Sequence, residues 1–253
     1  MADSGLLLMP SLSESERFGL RVGRLTVSPD GSDEDALDAA GHAVRTGRFE
    51  LVIVRLPRPL ETHGPGGIEV LDAGCVVSYS ADVDPRRFGS RVGGAGHVLR
   101  RIEQWGAREG AIVEEIFAGH RNHVTVNPRL DASLVPAGYA DWSARHVDGR
   151  VPGDCFVLED AEGQSLAFAA VAPYGDTLVI NLAGVLPAHR GRGIYQTLLD
   201  LIEDKAEARG NTRIRISTQV ETAVAIRAWE RRGWSESGRE WTVHVMDGPE
   251  GKT

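Results

Sequence analysis

A short loop at residues 190–195 combines the residue types that bind a phosphate group. It contains two glycines and two arginines, in the order Arg190, Gly191, Arg192, Gly193, Ile194, Tyr195. Glycines leave backbone N–H groups uncovered, and uncovered N–H groups at a helix N-terminus attract an anion together with the helix dipole. We therefore predict a phosphate site made of backbone amides, to which Arg190 and Arg192 add positive charge. A tight turn with two solvated arginines is the alternative.

The segments around this loop predict the elements that position it. Residues 177–185 are apolar and rich in β-formers, so they predict a strand. After the loop, apolar residues recur at a helical spacing, at positions 194, 198, 199, 201, 202 and 206. The chain then predicts a strand at 213–217, a short helix at 222–232 and a last strand at 239–245.

Two motifs of this region resemble those of the GNAT superfamily of acyl-CoA-dependent N-acyltransferases. The loop resembles the family's Arg/Gln-x-x-Gly-x-Gly/Ala pyrophosphate loop, with Tyr195 in place of the last Gly or Ala. Residues 225–234 resemble the family's Ala-Ile-x-Leu-Tyr-Glu-Lys-x-Gly-Phe helix. The resemblance implies an α/β protein: a C-terminal GNAT fold, whose mixed, mostly antiparallel sheet has flanking helices, and a smaller N-terminal α/β domain.

The resemblance also implies acetyl-CoA as cosubstrate, and no metal. The pyrophosphate would lie on residues 190–195 and the pantetheine arm along residues 183–185, near Thr222, which stands where the family usually has an Asn. A backbone donor near Gly184 and Val185 would stabilise the oxyanion, and one such donor is worth about 3–4 kcal/mol. Gly184 has a second interpretation, as the glycine of a β-bulge.

Proton transfer is where the sequence departs from the family pattern. The family helix usually carries a Tyr that protonates the leaving thiolate, and Trp229 stands at that position with an N–H that is no usable acid. One hypothesis is that Tyr195, Ser217, Thr218 or water supplies the proton. The preferred hypothesis from the sequence is an unassisted departure of the CoA thiolate, with help from water.

Four short segments resemble dTDP-fucosamine N-acetyltransferases and indicate an acceptor site. They are residues 16–19, 117–123, 139–142 and 217–219. His123 is the preferred base, because an imidazole titrates near neutrality, and His120 belongs to the same segment. Arg121 and Asn122 are predicted to contact a diphosphate or sugar hydroxyls. Tyr139 is predicted to pack against the core or to stack on a base.

Other titratable side chains are weaker candidates for the base. Glu114 and Glu115 are adjacent in a predicted helix, so at most one of them faces the site. In the N-terminal part, Glu61, His63 and Glu69 are candidates for a water-relayed base or a sugar contact.

Charge and composition exclude several other classes of protein. Lys and Arg number 28 against 36 Asp and Glu, a net charge of −8 without a basic patch, which argues against a nucleic-acid partner. No apolar run reaches the roughly 20 residues that span a membrane, and no signal peptide is recognisable. Cys75 and Cys155 are too few for a disulfide framework or a thiolate metal site, so we expect a cytoplasmic protein. The sequence leaves open whether the protein forms a homodimer.

The N-terminal part predicts a small domain of its own. Residues 17–26 and 49–56 read as strands around a helix at 33–46, a βαβ beginning, and a further strand follows at 68–80. From residue 97 the chain predicts a short strand, helices at 104–119 and 133–147 around a polar loop, and strands at 154–159, 165–173 and 177–185. We predict an N-terminal α/β domain at 1–90, a GNAT domain at 97–246 and a disordered tail at 247–253.

The sequence thus predicts transfer of an acetyl group from acetyl-CoA to the amine of a dTDP-linked amino sugar, by direct attack in a ternary complex. The first alternative is N-acylation of another small amine, such as an antibiotic or its intermediate, with a different acyl group or a carrier-protein thioester as donor. The second alternative is a CoA-binding pseudoenzyme, motivated by Trp229.

Overall fold

The computed structural model describes residues 7–60, 67–83 and 96–248. The strands of these residues are β1 Met9–Pro10, β2 Val22–Thr26, β3 Leu51–Leu56, β4 Ile68–Asp82, β5 Val98–Arg101, β6 Asp154–Glu159, β7 Ser165–Tyr174, β8 Thr177–Val185, β9 Arg213–Gln219 and β10 Ser235–Asp247. Their α-helices are α1 Leu12–Phe18, α2 Asp33–Arg45, α3 Ala107–Phe117, α4 His123–Val126, α5 Val135–Val147, α6 Ile194–Ala208 and α7 Ala223–Arg231. Short 3₁₀ turns lie at Ala132–Leu134 and Pro187–His189.

All of these strands join one mixed sheet, in the order β1-β2-β3-β10-β4-β9-β8-β7-β6-β5. The pairs β2–β3 and β8–β9 are parallel, and the other pairs are antiparallel. The N-terminal strand β4 lies between β9 and the C-terminal strand β10, so strands from both sides of the predicted domain boundary pair directly. The mixed α/β fold, mostly antiparallel with flanking helices, is confirmed, and the division into two domains stays a prediction.

Helices cover both faces of the sheet, because alternate residues of each strand point to opposite sides. On one face, Leu198 and Leu199 of α6 pack with Ile216 and the neighbouring strands. On the other face, Val113 and Ile116 of α3 pack with strands β6, β7 and β8. These two layers hold α6 and α3 on opposite sides of β8, the strand that precedes the predicted phosphate loop.

Most predicted elements are present, and the differences have local causes. The strand predicted at 17–26 is wrong in its first half: α1 continues to Phe18, and Gly19 ends it in a left-handed conformation with φ 65°. The predicted polar loop near residue 123 contains the short helix α4. Asp247 is the last residue of β10 and not part of a tail, whereas residues 249–253, Glu61 and His63 lie outside the described residues.

Candidate active site

A cleft opens in the middle of the sheet because two parallel strands diverge. The pairing of β8 with β9 ends at Ile180↔Ile216. Opposite β7, the register passes from Val171↔Ile180 to Ala170↔Leu182, which leaves Asn181 as an unpaired bulge residue. Beyond this bulge, the ends of β8 and β9 form the walls of a cleft of about 990 Å³.

The predicted phosphate loop lies at one end of this cleft. Gly191 and Gly193 have φ angles of 76° and 78°, a left-handed conformation that favours glycine. A Cβ atom added at either position would have no heavy atom within 4 Å, so both residues face open space. Gly193 is the N-cap of α6, and no side chain caps the uncovered N–H groups of its first turn. The loop therefore has the open, donor-rich form that an anion requires.

The guanidinium of Arg190 holds this loop against the rest of the protein. Its Nε donates to the carbonyl oxygen of Val185 at 3.1 Å, and its Nη2 donates to that of Ile116 at 3.0 Å. These bonds join the loop to the ends of β8 and α3. Arg192, by contrast, is exposed. The predicted contact of Arg190 with a phosphate stays a prediction, and its visible contacts are with carbonyl groups.

Gly184 permits a close approach between β8 and α3. A Cβ atom at this position would lie 2.3 Å from Cγ2 of Ile116. Gly184 pairs regularly with Phe168, so its interpretation as a bulge glycine is wrong, and the bulge residue is Asn181. The glycine is needed here because any side chain would push α3 away from the strand.

The backbone of β8 directs N–H groups into the cleft. Leu186 donates its N–H to the carbonyl oxygen of Leu166 at 3.0 Å, which makes these two a hydrogen-bonded pair. Hydrogen-bonded and non-hydrogen-bonded pairs alternate along an antiparallel ladder. The next pair, Ala167↔Val185, is therefore non-hydrogen-bonded, and the N–H of Val185 points away from β7, to the side on which β9 has diverged. The role of this N–H as a donor to an oxyanion stays a prediction.

Two aromatic side chains meet beside the loop. Trp229 of α7 is 1% exposed and donates its indole N–H to the hydroxyl oxygen of Tyr195 at 3.1 Å. Burial raises the pKa of Tyr195 to about 12, although the hydrogen bond from Trp229 and the charge of Arg232 each lower it. Both residues line the cleft, as does Thr222 at the N-cap of α7. The fold therefore brings the three predicted residues Tyr195, Thr222 and Trp229 to the same cleft.

The predicted acceptor residues are only partly in the cleft. Among the described residues that line it are Tyr139 and His120, but not Arg121, Asn122 or His123. The Asn122 side chain accepts hydrogen bonds from the amides of the first turn of α4 and donates to the Tyr139 hydroxyl at 2.9 Å. Arg121 is exposed. Asn122 thus fixes α4 and Tyr139 in place instead of facing the cleft.

His123 belongs to a buried polar cluster beneath the N-terminal strands. Its Nδ1 lies 3.0 Å from Nε2 of His244, and Nδ1 of His244 lies 2.9 Å from Nδ2 of Asn127. Since an amide NH₂ only donates, His244 accepts at Nδ1 and donates at Nε2 to His123. Burial holds the pKa of His123 well below its usual value and lowers that of His244 to about 4.

His120 meets the requirements of a base better than His123 does. It lies on the loop after α3, lines the cleft, and is partly exposed. Its ring centroid is 6.0 Å from that of Tyr139, and burial lowers its pKa, which keeps the imidazole neutral near pH 7. The other candidates are elsewhere: Glu114 and Glu115 are exposed on α3, and Glu69 pairs with Arg129 at 2.6 Å.

Two charged residues that the sequence alone does not single out lie at the far end of the cleft. Arg55 of β3 and Glu240 of β10 both line it and form an ion pair at 3.1 Å. Alternate residues of a strand point to the same face of a sheet, so the side chain of Arg55 lies on the same face as those of Leu51 and Ile53, two buried residues of β3. Their proximity to the cleft depends on the pairing of β3 with β10, which the sequence alone does not reveal.

No group of three or more His, Cys, Asp or Glu side chains within the described ranges is arranged to hold a metal ion. None of the helices that the structure describes has the length and apolar character needed to cross a membrane.

Residues 124–234 match the acetyltransferase (GNAT) family. The match covers less than half of the chain, and the diverging strands and the loop lie within it. This part of the chain is therefore similar to the GNAT family, as the sequence predicts, and the members of that family are acyl-CoA-dependent N-acyltransferases.

Curated relatives of the chain include two bacterial proteins. The chain is 21% identical over 126 residues to the spore coat polysaccharide biosynthesis protein SpsD of Bacillus subtilis, covering 50% of this chain and 43% of that protein. It is 31% identical over 99 residues to streptothricin acetyltransferase of Streptomyces lavendulae, covering 38% of this chain and 52% of that protein. The chain thus spans about half the length of these relatives.

Solved structures share the fold over most of the chain. A conserved Staphylococcus epidermidis protein of unknown function superposes with a TM-score of 0.61 at 12% identity, covering 98% of this chain and 93% of its own. A tandem GNAT protein from the clavulanic acid biosynthesis pathway superposes with a TM-score of 0.58 at 17% identity, covering 90% of this chain and 76% of its own. Both alignments include the N-terminal strands.

Proposed function

We propose that this protein transfers an acetyl group from acetyl-CoA to the amine of a small molecule. One observation carries the proposal: the uncapped, glycine-containing loop and the diverging ends of β8 and β9 belong to a single cleft. The pyrophosphate would rest on the amides of Gly191–Tyr195, and the thioester would lie along β8 beside the N–H of Val185. Holding donor and acceptor together in one cleft supplies part of the barrier reduction, about 7–11 kcal/mol in the best intramolecular cases.

The chemistry requires a neutral amine and a stabilised oxyanion. The amine nitrogen attacks the thioester carbonyl carbon, and the N–H of Val185 stabilises the oxyanion that forms. For the base we propose His120 instead of His123, because His120 lines the cleft and its lowered pKa keeps it neutral. A neutral imidazole accepts the proton that the amine loses.

For the acceptor we propose a nucleotide-linked amino sugar, with dTDP as the predicted nucleotide. The resemblance in four short segments and the similarity to a polysaccharide biosynthesis protein support this choice. Arg55 supports it chemically, since a guanidinium at the far end of the cleft suits a diphosphate. Glu240, its ion-pair partner, is placed to attract the amine as it enters.

A second candidate is acetylation of a different natural-product amine. The 31% identity to streptothricin acetyltransferase favours it, and the same cleft would serve. The difference lies in the acceptor, which fold similarity leaves open.

Mass spectrometry of the products separates these candidates. The protein is incubated with acetyl-CoA and with dTDP-amino sugars, the corresponding free amino sugars, and unrelated antibiotic amines. A product heavier by one acetyl group in the dTDP-sugar reactions alone supports the first proposal, and acetylation of an antibiotic amine supports the second. Binding of acetyl-CoA without any product supports the pseudoenzyme.

The variant Arg55→Gln tests the nucleotide contact. We expect KM for a dTDP-amino sugar to rise about tenfold or more, since a charge-assisted hydrogen bond of about 1.5–3 kcal/mol is lost. The free amino sugar is the matched control, because it has no diphosphate, and its KM should stay unchanged. Equal effects on both acceptors would argue against a diphosphate at Arg55.

A further inference from the structure

Tyr195 and Trp229 form a hydrogen bond in which the donor and the acceptor can be assigned from the two side chains. An indole N–H can only donate, so the hydroxyl oxygen of Tyr195 is the acceptor of their 3.1 Å contact. The Tyr195 hydroxyl hydrogen is therefore left to donate elsewhere. Among the described residues it has no acceptor, and Tyr195 lines the cleft. This hydrogen is therefore available to a group bound in the cleft.

Trp229 is held rigidly in this arrangement. It is 1% exposed, packs in the core with α6, and stacks at a tilt on Tyr79 with a centroid distance of 5.5 Å. Because these contacts hold the indole ring on two sides, its N–H points in one fixed direction. That direction determines where the phenol of Tyr195 lies.

We propose that Tyr195 is the catalytic acid that protonates the leaving thiolate, and that Trp229 is the residue that positions it. The proposal rests on the proposed acetyl transfer. A hydroxyl on α6 then replaces the one that the family usually carries on α7, and the indole at 229 orients it. This replaces the preferred sequence hypothesis of an unassisted departure.

The amine nitrogen has formed its bond to the carbonyl carbon, and the C–S bond then breaks with its electron pair on sulfur. The Tyr195 proton moves to that sulfur and gives CoA with a free thiol. The tyrosinate oxygen, held by the N–H of Trp229, regains a proton from solvent, and His120 releases to solvent the proton that it took from the amine, so no net charge remains on the protein.

The environment of Tyr195 keeps the phenol protonated, although burial also makes it a weaker acid than a tyrosine in water. Burial raises its pKa to about 12, so the phenol carries its proton throughout the neutral range. The N–H of Trp229 and the nearby charge of Arg232 act in the opposite direction and stabilise the tyrosinate. Phe at position 229 would fill similar space without this donor, which gives a physical reason for Trp.

The first test compares two hydroxyl deletions. We expect Tyr195→Phe to lower kcat by about 100-fold or more, the usual contribution of a general acid. Its Kd for acetyl-CoA, measured by calorimetry, should stay within about twofold of the wild type. The control Tyr174→Phe removes a hydroxyl from a residue that is 71% exposed, and both quantities should stay unchanged.

The second test replaces Tyr195 with trifluorotyrosine, which keeps the side-chain shape and lowers the phenol pKa. The pH above which kcat falls should move down together with the phenol pKa, measured by absorbance in the free protein. Trp229→Phe should raise that absorbance-derived pKa, because the stabilising N–H is lost.

Two results would overturn the inference: a kcat for Tyr195→Phe within about threefold of the wild type, or a pH profile that fluorination leaves unmoved. A wild-type protein that acetylates no amine would instead overturn the proposed function, so the two failures are distinguishable.

Discussion

At the scale of single residues, the phosphate loop depends on backbone conformation more than on charge. Gly193 has φ 78° and faces open space, whereas the guanidinium of Arg190 is occupied by two carbonyl groups. A non-glycine residue in this conformation is strained by about 1–2 kcal/mol. The backbone amides therefore carry most of the anion binding that we propose.

Gly193→Ala tests this directly, with Gly210→Ala as its control. Gly210 follows the other end of α6, has φ 74° and also faces open space, so both variants carry the same strain. We expect both to lose about 1 kcal/mol of unfolding free energy, measured by denaturant titration. We expect only Gly193→Ala to weaken acetyl-CoA binding, by about tenfold in calorimetry, because its methyl group enters the anion site. Equal affinities in the two variants would show that the loop is only a turn.

A second residue-scale feature is the buried carboxylate of Glu14. It accepts two hydrogen bonds from Arg24, both at 2.6 Å, and one from Ser11 at 2.7 Å. Burial alone would raise its pKa, but these partners prevail and lower it from 4.5 to about 2. Because the folded-state pKa is depressed, the stabilisation is complete above pH 4.5 and is lost as the pH falls toward 2.

We therefore predict a pH-dependent cost for Glu14→Gln. The pKa change of Glu14 from 4.5 to about 2 corresponds to about 3 kcal/mol of unfolding free energy at pH 7. The difference between wild type and variant should shrink between pH 4.5 and pH 2, as measured by urea unfolding at each pH. Glu16→Gln, an exposed change on the same helix, is the control. A difference that is constant with pH would contradict the linkage.

Whether a cleft residue can be predicted from the sequence depends on how local its signal is. The loop at 190–195 and Trp229 were found because their signal is local: glycines before a helix, and an aromatic at a fixed helical spacing. Our proposed base differs from the predicted His123, because His120 and His123 are three residues apart and only tertiary packing decides which one reaches the cleft. Arg55 and Glu240 were missed because the pairing of β3 with β10 brings them together across the chain.

At the scale of elements, the width of the cleft depends on how closely α3 lies against β8. Gly184 leaves room for Ile116, and Arg190 bonds the ends of both elements. A side chain at 184 would meet a well-packed core residue, and such overpacking costs about 1–3 kcal/mol.

A double-mutant cycle measures this contact. We expect Gly184→Ala to destabilise the protein by about 1–3 kcal/mol, and Ile116→Ala by about 2–5 kcal/mol. Together they should cost at least about 1 kcal/mol less than the sum, because removal of Cγ2 makes room for the new methyl group. Gly184→Ala with Ile112→Ala, a buried change one turn away on α3, is the control and should be additive. Additivity in the first pair would contradict the close approach.

Element prediction succeeded where one face of an element is buried. The strands at 154–159 and 177–185 have the predicted limits, since their hydrophobic residues pack between helices. It failed at the start of the strand predicted at 17–26, where residues 17 and 18 belong to a seven-residue helix that is stabilised by the contacts of Glu14 with Arg24 and not by a long apolar period. Secondary-structure propensity is a weak guide where tertiary contacts of this kind determine whether a helix or a strand forms.

At the scale of the whole molecule, the two halves of the chain share one sheet. Strand β4 pairs with both β9 and β10, and β10 pairs with β3, so one N-terminal strand is enclosed by C-terminal ones and the other three extend the sheet beyond β10. The acceptor end of the cleft receives Arg55 from one half and Tyr139 from the other. We infer that neither half completes the site alone.

This topology predicts a single cooperative unfolding transition. Scanning calorimetry of the full chain should give one peak, with equal calorimetric and van't Hoff enthalpies. The reason is that separating the halves would break the β4–β9 and β3–β10 ladders at the same time. Two resolved peaks would favour the independent domains that the sequence predicts at 1–90 and 97–246.

Hydrogen exchange with and without acetyl-CoA shows which backbone amides the cosubstrate covers. We predict that acetyl-CoA slows exchange of the amides of residues 183–197, which include the end of β8, the loop and the first turn of α6. Residues 33–45, which form α2 away from the cleft, are the internal control and should be unaffected. Protection confined to a region outside 183–197, or none at saturating acetyl-CoA, would contradict the account.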